Sequence, residues 1–381
     1  MPARTIDAIA CSAVLGALAF ASVGPAFAAP EFKLRGRLHM DYAVHDEDQV
    51  PLSDGILNRR ARIGVQGKID DHWSGLIEYD FAENGTSAAD LILSRRLGDG
   101  TLKIGHFKVP MGFDELSSTN TIPFIERAAP NATIVDARRL GVGYDYFAGD
   151  FGFQGMAYSR GIGSSNNPAG DEPLGIGTRF LYAPKLDNGL LHLGVSAAYE
   201  DTQDFNAQRY RARPESNVDG NRLVDSGNIA DVSATMKVAL EAYWQAGPFS
   251  VLTEYYQVSV QRDAGEEPDF NGWYVQGSWF LTGENRGYRN GTYRGVTPGQ
   301  AGRGAWELVA RYSTLDLVDA GFQGGEQDVI AVGLNYYYSA NIRFMVNYLA
   351  VDVKGSTATV NGVVVGDDSP NILLARAQFA F

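Results

Sequence analysis

The sequence predicts an all-β fold, a sixteen-stranded antiparallel transmembrane β-barrel, and three observations carry that expectation. The first is the stretch 32–42, FKLRGRLHMDY. Phe32, Leu34, Gly36, Leu38, Met40 and Tyr42 fall on one side of an extended chain, and Lys33, Arg35, Arg37, His39 and Asp41 on the other. A period of two makes a strand with one apolar and one charged face. The second is recurrence. The pattern returns in segments of about ten residues with aromatic residues at their ends, as in barrels with an apolar exterior and a wet lumen. The third is parity. With strand one starting in the periplasm, the short connections all fall on the periplasmic side and most long ones outside, which an odd strand count would not allow.

Ahead of the first strand, residues 1–28 read as a secretory signal. Arg4 supplies the positive start, 11–24 an apolar core, and Ala26-Phe27-Ala28 an A-x-A cleavage site. The mature chain is then expected to be one barrel domain, 29–381. Cleavage removes Cys11, the single cysteine, so the sheet alone must hold the fold. Past the signal no run of about twenty apolar residues occurs, so no membrane-crossing helix is expected. The 19 Tyr, 19 Phe and 44 Gly suit aromatic girdles and tight turns. A net charge of −13 argues against nucleic acid as a partner. It leaves ion preference open, because loop acids and lumen bases add into one number.

The remaining strands follow in order. Strand two, 57–69, sets Leu57, Ala61, Ile63 and Val65 on one face and Asn58, Arg60, Arg62, Gln66 and Lys68 on the other. Arg59 falls among the apolar set, where a place near the membrane rim would let its head snorkel. After Asp70-Asp71 comes strand three, 73–81, with Trp73, Ile77, Tyr79 and Phe81 outward and Glu78 and Asp80 inward. Strands four and five, 88–97 and 101–108, meet at Gly98-Asp99-Gly100, a type I′-like signal.

Residues 109–137 lack clean alternation and hold Pro110, Pro123 and Pro130; loops of that length in a compact fold are usually functional. Strands six to nine are expected at 139–148, 150–160, 175–184 and 189–201. A second long loop, 201–230, precedes strands at 232–245, 249–262 and 270–282. A long turn, 283–303, leads to strands at 304–316, 327–339 and 341–353. In the last strand, 371–381, Leu373, Ala375, Ala377, Phe379 and Phe381 share one face, opposite Leu374, Arg376 and Gln378. That strand must pair with the first, since an open sheet edge is not tolerated in lipid.

Three arginine groups stand out. Lys33, Arg35, Arg37, Arg60, Arg62 and Lys68 form the inward row of strands one and two, expected to line the lumen. Arg209, Arg211 and Arg213 alternate in the second long loop, followed by Arg222. Extended chain would place their guanidiniums on one side about 6–7 Å apart, and closely spaced arginines can hand a dehydrated anion along. Arg286, Arg289, Arg294 and Arg303 share the long turn with one acid, Glu284. The plain alternative is that arginines in exposed loops are solvated or hold lipopolysaccharide at the outer rim.

Five stretches, LNRRARIGVQGKI, IGHFKVPMGFDELSS, YVQGSWFLTGENRGY, GAWELVARYSTLDL and GLNYYYSANIRFMVNYLAVDV, span most of the chain. On them the sequence resembles the phosphate-selective porins O and P of proteobacterial outer membranes. The resemblance implies a homotrimeric sixteen-stranded barrel in the bacterial outer membrane, with long loops folded inward to narrow each pore. It also implies a ladder of arginines passing phosphate or other small anions, with Arg209, Arg211 and Arg213 as candidates here. The turn 283–303 corresponds to a segment that the family also folds toward the lumen. The loop 109–137 departs by carrying Asp114, Glu115 and Glu126 against Arg127 alone. Acids facing the basic wall of strands one and two are the transverse field of a general diffusion porin for small hydrophilic solutes, which is the second reading.

An enzyme is not expected. His39, His45, His72, His106 and His192 are scattered and no G-x-S-x-G motif accompanies them, so a Ser/His/acid hydrolase on the barrel wall is disfavoured. The inward charged rows argue against a purely structural barrel or adhesin. No cofactor is expected and no metal-ligand spacing is present; Asp46, Glu47 and Asp48 signal Ca²⁺ only weakly.

Overall fold

The computed structural model describes residues 30–82, 85–162, 171–203, 205–299 and 302–381. The expected signal, 1–28, lies outside the described residues. Sixteen antiparallel strands close into one barrel. They run β1 (Glu31–Asp46), β2 (Gly55–Lys68), β3 (Trp73–Asp80) and β4 (Ser87–Leu97). Next come β5 (Gly100–Lys108), β6 (Arg138–Ala148), β7 (Phe151–Tyr158) and β8 (Leu174–Tyr182). Then follow β9 (Gly189–Asp201), β10 (Val232–Ala246), β11 (Phe249–Arg262) and β12 (Asp269–Phe280). The last are β13 (Ala305–Asp319), β14 (Phe322–Tyr337), β15 (Ile342–Val360) and β16 (Asn371–Ala380).

Each strand pairs with its neighbours in sequence, and β16 returns to β1 in a register running from Arg37↔Ala380 to Asp46↔Asn371. Phe381 finishes the seam: Gly36 N donates to Phe381 O at 2.9 Å and Phe381 N to Gly36 O at 3.0 Å. Among the described residues no helix is long and apolar enough to cross a membrane. The helices among the described residues are two short ones in the loop between β5 and β6, α1 (Phe113–Leu116) and α2 (Ala129–Ile134).

The burial pattern is that of a soluble protein turned inside out. Leu34 and Ile330 are 63% and 58% exposed, whereas Arg179, Arg343 and Arg376 are among the largest fully buried side chains. Alternation on each strand therefore presents aliphatic groups to lipid and keeps charge within, as a closed barrel in a bilayer requires. Rings gather outward at the short-turn rim, among them the stacked pair Phe249–Trp279 and the tilted pair Trp306–Tyr336. The turns there are tight. Gly98 and Gly149 take φ of 59° and 57°, the left-handed conformation that a two-residue hairpin needs. By the rule that such barrels keep short turns inside the cell envelope, this rim faces the periplasm.

Three features differ from the sequence expectation. Strands β13–β15 run further than expected: Ala320-Gly321 makes a tight turn where a loop from 317 to 326 was expected, and β15 continues to Val360 opposite Val363–Asp368. These outer segments carry Asp, Gly and Ser, so the apolar alternation stops although backbone pairing goes on. Arg59 does not snorkel outward. The β1–β2 register slips between His39↔Arg60 and Met40↔Asn58, leaving Arg59 as the extra residue of a bulge. A bulge re-aims side chains, and here Arg59 turns into the lumen beside Arg60. The same slip reverses parity above it, so Asn58 rather than Leu57 shares the outward face with Met40.

Candidate channel constriction

The loop 109–137 fills much of the lumen. Its apolar residues are driven inward: Val109, Met111, Phe113, Ile122, Phe124, Ile125, Ala128, Ala129 and Ile134 are at most 2% exposed. A buried loop must find partners for its backbone, and the far wall supplies them. Arg286 Nη1 donates to Thr121 O at 2.6 Å, Arg343 Nη1 to Ile122 O at 2.9 Å, and Asn335 Nδ2 to Pro123 O at 2.8 Å. Arg376 Nη1 donates to Ile125 O at 2.6 Å and Arg311 Nη1 to Glu126 O at 3.1 Å. At the other end, Glu254 on β11 accepts from the amides of Phe113 and Asp114 at 2.5 and 3.1 Å. The loop is thus stitched to β11–β16, and it also meets β1, where Arg37 donates to Ser118 Oγ at 3.3 Å and Thr119 Oγ1 at 3.2 Å and His39 Nε2 lies 2.9 Å from Asn120 Oδ1.

The loop 205–231 also folds inward. A short pairing of Arg211–Ala212 with Val224–Asp225 shapes it, and Glu215, 4% exposed at φ 52°, pins it. Its carboxylate accepts from Ser313 Oγ at 2.6 Å, from Ala129 N at 2.8 Å and from Arg311. From the periplasmic side, the turn after β12 inserts a hairpin of Gly287–Arg289 and Thr292–Arg294. Tyr288 meets His192 Nδ1 at 2.8 Å, Arg179 donates to Gly291 O at 2.9 Å, and Tyr293 N donates to Ser117 Oγ at 3.1 Å. Arg286 sits over the Tyr293 ring at 4.9 Å and is paired with Glu307, while Arg289 and Arg294 remain exposed.

Between β2 and the two outer loops lies a cavity of about 260 Å³. Arg59, Arg60, Arg127, Arg211, Arg213 and Arg222 line it with Glu115, Glu126 and Glu215. Above it a cavity of about 380 Å³ is lined by Arg209, Arg211 and Arg222 together with Asp225 and the Thr357–Thr359 edge. Arg211 and Arg222 belong to both. Burial, with Arg213 and Arg211 close by, pushes the Arg222 guanidinium down to about 10. Towards the wall of β4–β7, a third cavity of about 170 Å³ holds charges in balance, Lys103 and Lys108 with Asp90 and Asp145.

The expected site residues divide among these places. Arg60 lines the middle cavity. Arg62 donates to Asp80 at 2.7 Å, and Arg37 and Arg35 lie 3.3 and 3.2 Å from Glu78. Lys33 and Lys68 stay exposed at the periplasmic rim, Lys68 paired with Asp71 at 3.0 Å. Arg209 is held by Asp225 at 2.6 Å, and Arg213 donates to Asn217 at 3.2 Å. In the constriction loop, Glu126 faces the basic wall, 2.9 Å from Arg59 and 3.7 Å from Arg60. Asp114 and Glu115 do not; they turn to Arg127 at 3.7 and 3.2 Å, and Glu115 also to Lys108 at 3.1 Å. Burial pushes the Asp114 carboxyl up. For Glu126 burial acts in the same sense, but Arg59, Arg60 and Arg376 prevail and hold it well below the carboxylate range.

Residues 32–381 match the family described as phosphate-selective porin O and P. The chain belongs to that family. Relatives include Porin O of Pseudomonas aeruginosa, 27% identical over 395 residues, covering 92% of this chain and 88% of that protein. An uncharacterized protein of Caulobacter vibrioides is 31% identical over 367 residues, with 92% and 74% covered. Among solved structures, the trimer form of OmpT, an outer membrane protein of Vibrio cholerae, superposes with a TM-score of 0.60 at 14% identity, covering 93% of this chain and all of that one. An anion-selective porin from Comamonas acidovorans gives 0.60 at 16% identity, covering 92% and 100%. The protein is therefore a porin of the bacterial outer membrane.

Within this porin, sequence reading missed the lumen residues that anchor the loops: Arg179, Arg311, Arg343, Arg376 and Glu215. Their signal was present, since each arginine occupies an inward position of an alternating strand. Arg376 was placed inward, but nothing local marked it as a clamp.

Proposed function

We propose that this porin prefers small anions such as phosphate, and that they pass between β2 and the two infolded loops. The observation that carries the reading is the middle cavity, where six guanidiniums stand against three carboxylates. Two of the six continue into the cavity above, where Arg209 joins them. Guanidiniums at successive positions replace water around an oxyanion in steps, which permits selectivity without trapping. The names of two relatives, Porin O and an anion-selective porin, point the same way. The mature barrel is taken as 29–381, surrounded by lipid and lipopolysaccharide. The trimer form of OmpT supports a homotrimer here.

The second reading, a general diffusion porin for small hydrophilic solutes, draws on the pairing of most lumen cations. Arg59 with Glu126, Arg62 with Asp80, Lys103 with Asp145 and Arg138 with Asp90 all lie within 2.9 Å. The zero-current potential of purified protein in a planar bilayer under a KCl gradient separates the two. A potential near the chloride limit, with chloride current blocked by added phosphate and relieved in Arg211→Ala, supports the anion channel. A potential near zero without block refutes it in favour of general diffusion.

A further inference from the structure

We infer that Glu126 sets the strength of anion binding in the constriction, its carboxylate occupying the guanidinium seat that a permeating oxyanion would take. This rests on the anion reading above. Both oxygens of Glu126 are drawn to its neighbours: Oε1 accepts from Arg59 Nε at 2.9 Å and Arg376 Nη2 at 2.8 Å, and Oε2 from Arg59 Nη2 at 3.3 Å. Arg60 is left short. Its Nε and Nη1 are buried and have no hydrogen-bond partner among the described residues, and Glu126 Oε1 stands 3.7 Å from Nη1. Buried donors without an acceptor are costly, and these belong to a side chain, 5% exposed, that lines the cavity. The seat therefore holds one tethered carboxylate and remains deficient in acceptors, which a tetrahedral oxyanion carries in excess.

The backbone of the loop has anchors besides this carboxylate. Arg311 and Arg376 hold the carbonyls of Glu126 and Ile125, and Asn347 Oδ1 accepts from Ile125 N at 2.9 Å. The side chain can act on the ion while the backbone stays in place. A fixed negative charge beside the seat weakens every visiting anion, which shortens its stay. Conduction needs binding that is weak enough to release.

The test measures block of chloride current by inorganic phosphate in bilayers holding the wild-type porin, Glu126→Gln or Glu126→Asp. Freeing the seat of one charge-assisted competitor should lower the half-blocking phosphate concentration about tenfold in Glu126→Gln. The zero-current potential should also move further toward chloride. Glu126→Asp, one methylene shorter, should fall between. If the Gln protein does not insert, the Asp value decides on the same terms: lower than wild type supports the inference, equal or higher overturns it. Wild type and Glu126→Gln blocked equally would overturn the role of Glu126 and leave the anion channel standing. No block and no chloride preference in either would overturn both.

Discussion

Arg376→Met is the perturbation that best tests how the lumen is held together. Arg376 stands directly opposite Asp41 across the closing seam of β1 and β16. It donates to both Asp41 oxygens at 2.6 and 2.7 Å, to Ile125 O at 2.6 Å and to Glu126 Oε1 at 2.8 Å. Asp41 is 2% exposed, so methionine leaves a buried carboxylate alone, a change worth about 3–5 kcal/mol. Unfolding in urea from lipid vesicles, followed by the emission of the five tryptophans, should show a loss of that size. Single-channel conductance should rise as the loop loses its hold at Ile125. In Asp41→Asn/Arg376→Met the orphaned charge is gone, and most of the stability should return, with a coupling of about 2–3 kcal/mol. A coupling below about 0.5 kcal/mol, within the scatter of independent sites, would refute the claim that the pair closes the seam.

Two further outcomes are expected. Glu215→Ala removes the acceptor shared by Arg311, Ser313 and Ala129; the loop 205–231 should loosen, with higher conductance, noisier current and faster proteolysis within it. Acid tests Glu126, whose carboxyl is held below the usual 4.5. A depressed carboxyl keeps its ion pairs above the unfolded value and loses them only as pH falls through its lowered one. Other lumen carboxyls, among them Asp114 pushed up by burial, titrate on their own account, so the readout is the difference in zero-current potential between wild type and Glu126→Gln. That difference should hold steady from pH 7 to about 4.5 and close only below that, and closure centred near 4.5 would show an unpaired glutamate.

The barrel was legible because a strand's alternation is local: each residue declares its face through its neighbours two positions away. The slip at Arg59 was not, because a bulge is a mismatch of counts between two strands, and neither β1 nor β2 contains it alone. Register also governs Asn58, which lies outward only because Arg59 is extra. The inner arginines mark the same boundary more sharply. Arg60 and Arg376 look alike in sequence, each inward on an alternating strand, yet Arg376 meets two carboxylates and a carbonyl while Arg60 keeps two donors unmatched. What separates clamp from seat is which arginines the backbone of the loop 109–137 reaches. Its carbonyls claim the arginines of β13, β15 and β16. On β2, Arg62 is met by Asp80 and Glu78 of the wall, whereas Arg59 and Arg60 share the single carboxylate of Glu126, and on that shortage the proposed anion seat rests.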